Sequence, residues 1–161
     1  MSRISSRLLC LGLAAPLLLS WSVFAEADCA LPEPTEQAGG WTVDEGDGDY
    51  RFMATNPDYP DLAVALEMNS PSKPRVLDWQ LVPGYDGKIA ILRYFSGEPG
   101  TSHLVTLVTD AVVDLRTNEE IGQAFHSQDC VPNEWTWFDD RVEIHDVEQD
   151  LTDTFAFAPV N

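Results

Sequence analysis

Trp135-Thr136-Trp137-Phe138-Asp139-Asp140-Arg141-Val142-Glu143-Ile144-His145 is the stretch whose reading decides the fold. Val142 and Ile144 fall on one side of an extended chain while Arg141, Glu143 and His145 fall on the other, the period-2 pattern of a half-buried strand. Asp139-Asp140 reads as the tip of a hairpin, since Asp tolerates turn conformations and caps them through its own side chain. Thr136 separates Trp135 from Trp137, so both indoles point to one face.

Working outward, short runs of Val, Ile, Leu, Phe, Trp and Tyr recur between clusters of Gly, Pro, Asp and Asn every 8 to 12 residues or so. The expected strands are 41–44, 50–55, 62–68, 75–82, 88–95, 103–109, 111–116, 120–126, 134–138, 141–147 and 152–158. Ile89 to Leu92 and Leu104 to Val108 are nearly continuous apolar runs, which predicts central strands covered on both faces. Asn118-Glu119 is a second hairpin tip. Residues 61–68 carry Ala, Leu, Glu and Met that also suit a short helix after Pro60, but the spacing of the surrounding runs favours a strand. The chain is therefore read as all-β: a single small antiparallel β-sandwich or barrel of about 8–11 short strands with little helix, the choice between sandwich and barrel staying open.

The first 25 residues read as a cleaved secretory signal. Arg3 and Arg7 make a basic start, Leu8 to Leu19 an apolar core, and Val23-Phe24-Ala25 a small-residue cleavage site. Ala25-Glu26-Ala27 offers a second site two residues later. The apolar core is shorter than the roughly 20 residues a spanning helix needs, so no membrane span is expected after cleavage. The protein is expected to be periplasmic or secreted, with residues 26–40 an extended, proline-bearing lead-in and 41–161 one β domain. The absence of an Asn-x-Ser/Thr acceptor is compatible with a bacterial origin.

Two cysteines survive that cleavage, Cys29 and Cys130, and an even count in an exported chain argues for one disulfide between them. The formal net charge is −18, and losing Arg3 and Arg7 without any acidic residue takes it to −20. Such a surface repels nucleic acid and anionic lipid. Lys73 and Lys88 are the lysines that remain.

The usual catalytic signatures are missing: no G-x-S-x-G, H-E-x-x-H, C-x-x-C or phosphate loop occurs. His103, His126 and His145 are far apart and lack a second ligand at metal spacing. Asp44-Glu45-Gly46-Asp47-Gly48-Asp49 has the composition of a calcium loop, but Tyr50 and Asn56 stand where an EF-hand needs Gly and Glu, so a solvated turn is expected. No catalytic residue, metal site or cofactor is assigned.

The aromatics provide the candidate binding residues. Tyr59 and Tyr85 sit beside Pro60, Gly84 and Asp86 in loop-like sequence, and Trp135 and Trp137 share a strand face, where exposed flat rings anchor a partner and buried ones floor a core. Trp41 and Trp79 read as core. The leading expectation is an exported, non-catalytic β-domain that binds another macromolecule or ligand in the cell envelope, with a basic protein such as a cationic hydrolase as the electrostatically suited partner. The alternative is a small ligand-carrying barrel or hydrolase with a histidine–carboxylate site that converges only in three dimensions.

Overall fold

The computed structural model describes residues 37–46, 51–69, 72–98, 106–127, 133–147 and 149–159. These form ten antiparallel strands: β1 Thr42–Glu45, β2 Arg51–Asn56, β3 Tyr59–Glu67, β4 Arg75–Leu81, β5 Ile89–Gly97, β6 Leu107–Asp114, β7 Glu119–Ser127, β8 Glu134–Trp137, β9 Arg141–Asp146 and β10 Leu151–Ala156. They are arranged as three meanders, in the orders β1-β2-β3, β4-β5-β6-β7 and β10-β9-β8. Among the described residues each sheet is open, which makes the architecture a layered sandwich.

The layers follow from side-chain alternation on β5 and β6. Leu92, Tyr94, Ala111 and Val113 point one way and pack with Trp41, Phe52, Leu62, Val64 and Leu66 of the first sheet and the segment before it. Ile89, Ile91 and Val112 point the other way and pack with Val142 and Ile144 of the third sheet. The four-stranded sheet is thus the middle layer, with an apolar core on each side. This is why Ile89 to Leu92 carries no polar position: both phases of the strand are covered. Each fully buried Leu, Ile or Val here adds roughly 1.5–3 kcal/mol relative to exposure.

Of residues 61–68, all but Met68 fall in β3, and none forms a helix. Leu62, Val64 and Leu66 are buried while Asp61, Ala63, Ala65 and Glu67 are exposed, so the alternation outweighs the helix-favouring composition. Where the sequence reading has two strands, 103–109 and 111–116, the described residues form one strand, β6, which runs from Leu107 straight through Asp110 to Asp114. A charged residue there looks like a break in sequence. In space, Arg93 stands directly opposite it on β5 and neutralises it.

Two hairpin tips fall where the sequence placed them, while Tyr59 and Pro60, read as loop, open β3. Asn118 adopts φ 56° in the β6–β7 turn, and Asp139-Asp140 joins β8 to β9. The β4–β5 turn uses Gly84 at φ 86° and Asp86 at φ 49°, and the Leu115 N–H donates to Lys88 O at 2.8 Å, locking this turn to the next. The end of the lead-in is pinned too. Ala38–Gly40 forms a single 3-10 turn, Gln37 Oε1 accepts from the Val76 N–H at 2.7 Å, and Asn56 Nδ2 donates to Gly39 O at 2.8 Å. Residues 1–25, read as a signal, together with Cys29, Cys130, His103, and Asp47 and Asp49 of the acidic loop, lie outside the described residues. No helix among the described residues is long and apolar enough to cross a membrane.

Candidate interaction surface

Three of the four aromatic candidates come together. Tyr85, from the β4–β5 turn, sits 5.4 Å between ring centroids from Trp137 and 5.9 Å from Phe157, and Trp135 stacks on Trp137 at 5.6 Å and 15°. Trp135 and Trp137 lie opposite Ile144 and Val142 across β8–β9, so both indoles turn toward the middle layer. They are half-buried against the second core. Neither indole N–H has a hydrogen-bond partner among the described residues. The Tyr85 hydroxyl donates to Phe138 O at 2.7 Å, which ties the β4–β5 turn to the β8–β9 turn. Burial, with the Asp139 carboxylate beside it, pushes the Tyr85 hydroxyl above its usual pKa. This cluster closes one end of the sandwich.

Tyr59 lies apart, on the other side of the middle layer. Its ring meets Trp79 edge-on at 5.2 Å, its hydroxyl accepts from Trp79 Nε1 at 3.4 Å, and Trp79 in turn packs on the buried Trp41. Trp41 and Trp79 are thus packing residues, as the sequence indicated.

A group that the sequence did not single out lies on the middle sheet, on the face toward the third sheet. Arg93 Nε and Nη2 donate to Asp110 Oδ1 and Oδ2 at 2.7 and 3.0 Å, a bidentate pair, and His126 Nδ1 lies 3.6 Å from Asp110 Oδ2. Asp110 is fully buried and His126 nearly so. The signal was present as an arginine and an aspartate embedded in the two most apolar strands, but only the register shows that they face each other. A histidine beside a carboxylate is the start of a general base. Here the carboxylate is already engaged by a guanidinium in a buried setting, an arrangement that satisfies a charge inside the fold.

Three other arginines are engaged by groups of the protein itself. Arg116 donates to both Asp114 oxygens and to the carbonyls of Ala158 and Pro159, so it holds the chain after β10. That hydrogen bonding keeps the Asp114 carboxyl below its usual pKa. Arg141 pairs with Glu143 at 3.0 Å and Asp140 at 3.1 Å and covers the Phe138 ring. Arg75 lies over the Phe95 ring at 4.7 Å. Exposed carboxylates, by contrast, occur on all three sheets: Asp44, Asp61 and Glu67 on the first, Glu119 on the middle one, Glu134 and Asp153 on the third. Among the described residues no group of three or more His, Cys, Asp or Glu side chains is placed to hold a metal ion.

No protein-family model, no curated protein and no solved structure matches this chain.

Proposed function

We propose that the protein is an exported, non-catalytic β-domain that binds a basic protein in the cell envelope or outside the cell, a cationic hydrolase being the concrete version. The observation that carries this reading is the disposition of charge. Arg93, Arg116 and Arg141 are engaged by the protein's own carboxylates and carbonyls, while exposed Asp and Glu remain on every sheet. With a formal net charge of −18, that layout favours cationic partners and disfavours anionic ones. Export rests on the basic, apolar and small-residue succession of residues 1–25. A Cys29–Cys130 bridge belongs to the same reading, and a peptide map without reductant checks it: both cysteines alkylating freely would exclude it.

The test is the association rate of the mature domain with a cationic lysozyme and with an anionic control protein of similar size, measured from low to moderate NaCl. The reading requires lysozyme association that falls about tenfold or more as the Debye length shrinks from about 30 Å to 8 Å, and no association with the control. Equal indifference to both proteins would refute it. The histidine–carboxylate alternative rests on the 3.6 Å approach of His126 to Asp110. It requires the histidine to act on a ligand while Arg93 holds the same carboxylate, so the charge layout favours the binding reading.

A further inference from the structure

Sheet edges expose unpaired N–H and C=O groups, and proteins protect them with bulges, prolines, charges or short length. Among the described residues six strands end a sheet: β1, β3, β4, β7, β8 and β10. β3 contains Pro60, β4 is bulged between Val76 and Asp78, and β7 is bulged opposite Val112 and Val113. β1 and β8 are four residues long. β10 has none of these devices except one charge, Asp153. It spans six residues in unbroken register with β9, contains no proline, lysine or arginine, and among the described residues pairs only with β9.

The side chains of β10 fit an incoming strand. Leu151, Asp153 and Phe155 share the phase that turns toward the middle layer, yet only Phe155 reaches cover, its ring lying over Gly122. The start of the strand overhangs the sheet beneath it. Leu151 is 60% exposed, and Val147, in the turn before it, is 43% exposed. These are an apolar pair beside an open backbone edge. Around them stand Asp146, Asp150 and Asp153, and the Asp150 side chain is 97% exposed. The nearest arginine on the sheet, Arg141, pairs with Ala156 at the far end of β10 and is held by Asp140 and Glu143. His145 lies across from Thr152 and 3.8 Å from Asp150.

We infer that β10 is the docking edge for an extended segment of the basic partner, which adds as a fourth strand to the third sheet and places an apolar side chain on Leu151 and a lysine or arginine against Asp153. This rests on the basic-partner reading and names the surface and mode for it. Main-chain hydrogen bonds along the edge would supply affinity, and the alternate side chains would supply specificity. A second copy of the same chain is the poorer occupant. Pairing β10 with itself in antiparallel fashion brings two Asp153 carboxylates close together, on a chain already at −18.

The test titrates the isotope-labelled mature domain with an octapeptide of repeat Lys-Thr-Val-Thr (the Lys-Val peptide), which sets Lys and Val two residues apart on one strand face, with its Glu-for-Lys counterpart (Glu-Val) and with cationic lysozyme, following backbone amides by NMR. The inference expects shifts concentrated in β10 and the turn before it with the Lys-Val peptide, none with Glu-Val, and a roughly tenfold weaker Lys-Val affinity in Asp153→Lys. Mapping on the wild-type domain keeps the test valid even if the variant folds poorly. Shifts that fall on β1, β8 or elsewhere, or no response to Lys-Val while lysozyme still binds, would overturn the edge and leave the basic-partner reading standing. Absence of binding by both Lys-Val and lysozyme would overturn both.

Discussion

β5 and β10 belong to one short chain and share the same backbone geometry, yet they sit at opposite extremes of the molecule. β5 has a neighbour on each edge and a sheet on each face, and eight of its nine residues are buried. Among the described residues β10 has one neighbour and five of its six residues are exposed, with Phe155 the one that is partly buried. The difference separates two jobs. Stability is concentrated in the middle layer, where substitutions are felt from both sides. The proposed recognition uses the edge of an outer layer, where backbone and side chains can be offered without disturbing either core.

That contrast breaks most sharply at Asp110. Replacing it by Asn leaves the Arg93 guanidinium without its counter-charge in a buried setting, and the expected loss is about 3–5 kcal/mol, a large part of the roughly 5–15 kcal/mol total of an ordinary domain. Urea denaturation of Asp110→Asn checks this, and an unchanged midpoint would mean that the pair is not what holds β5 to β6. Leu92→Ala, on the opposite face of β5, should cost about 2–5 kcal/mol through lost burial and the cavity left behind, read in the same experiment. The matching change at Leu151, with 60% of its surface exposed, should stay within about 0.5 kcal/mol.

Gly122 connects the two regions. A Cβ there would lie 2.1 Å from Phe155 Cδ1, so Gly122→Ala must displace the ring that anchors β10. The expected cost is about 1–3 kcal/mol, and Phe155→Leu in the same chain should recover part of it. A double-mutant cycle that shows no coupling would separate β10 from the middle layer.

A small effect is also expected at Glu120. Burial raises its carboxyl above the usual pKa, with Glu67 adding to the shift and the Gln123 hydrogen bond opposing it. The folded state thus holds the proton more tightly than the unfolded chain, and stability falls as pH rises from the ordinary carboxylate range through the raised value. Glu120→Gln keeps an acceptor for Gln123 and should raise the melting temperature slightly at pH 7. The gain should vanish below about pH 4, where an ordinary carboxyl is protonated in both states. A gain that persists at acid pH would assign the effect to something other than ionisation.

The all-β class, most strand positions and the hairpin tips were legible because they depend on local alternation and turn chemistry. Val142, Ile144 and the Asp139-Asp140 tip are readable one residue at a time. The three-layer arrangement was only half legible: continuous apolar runs at Ile89 to Leu92 announce a doubly covered strand, but not which segments cover it. The Arg93–Asp110 pair was invisible because it is a fact of register between strands 17 residues apart, and its charge made β6 look like two strands. The aromatic residues could be found but not ranked. Whether an indole floors a core or faces a partner depends on what lies above it, and the sequence assigns no neighbour to Trp135. The openness of β10 is likewise a property of its place in the sheet order.

Native-state hydrogen exchange, read strand by strand, tests the division between a rigid middle layer and an open edge most directly. The account requires amides of Ile89 to Leu92 and Ala111 to Val113 to exchange only with global unfolding, and those of β10 to exchange through smaller openings that leave β5 and β6 protected. Equal protection of β10 and β5 would contradict it, because the edge assigned to recognition would then be as firmly built into the fold as the layer assigned to stability.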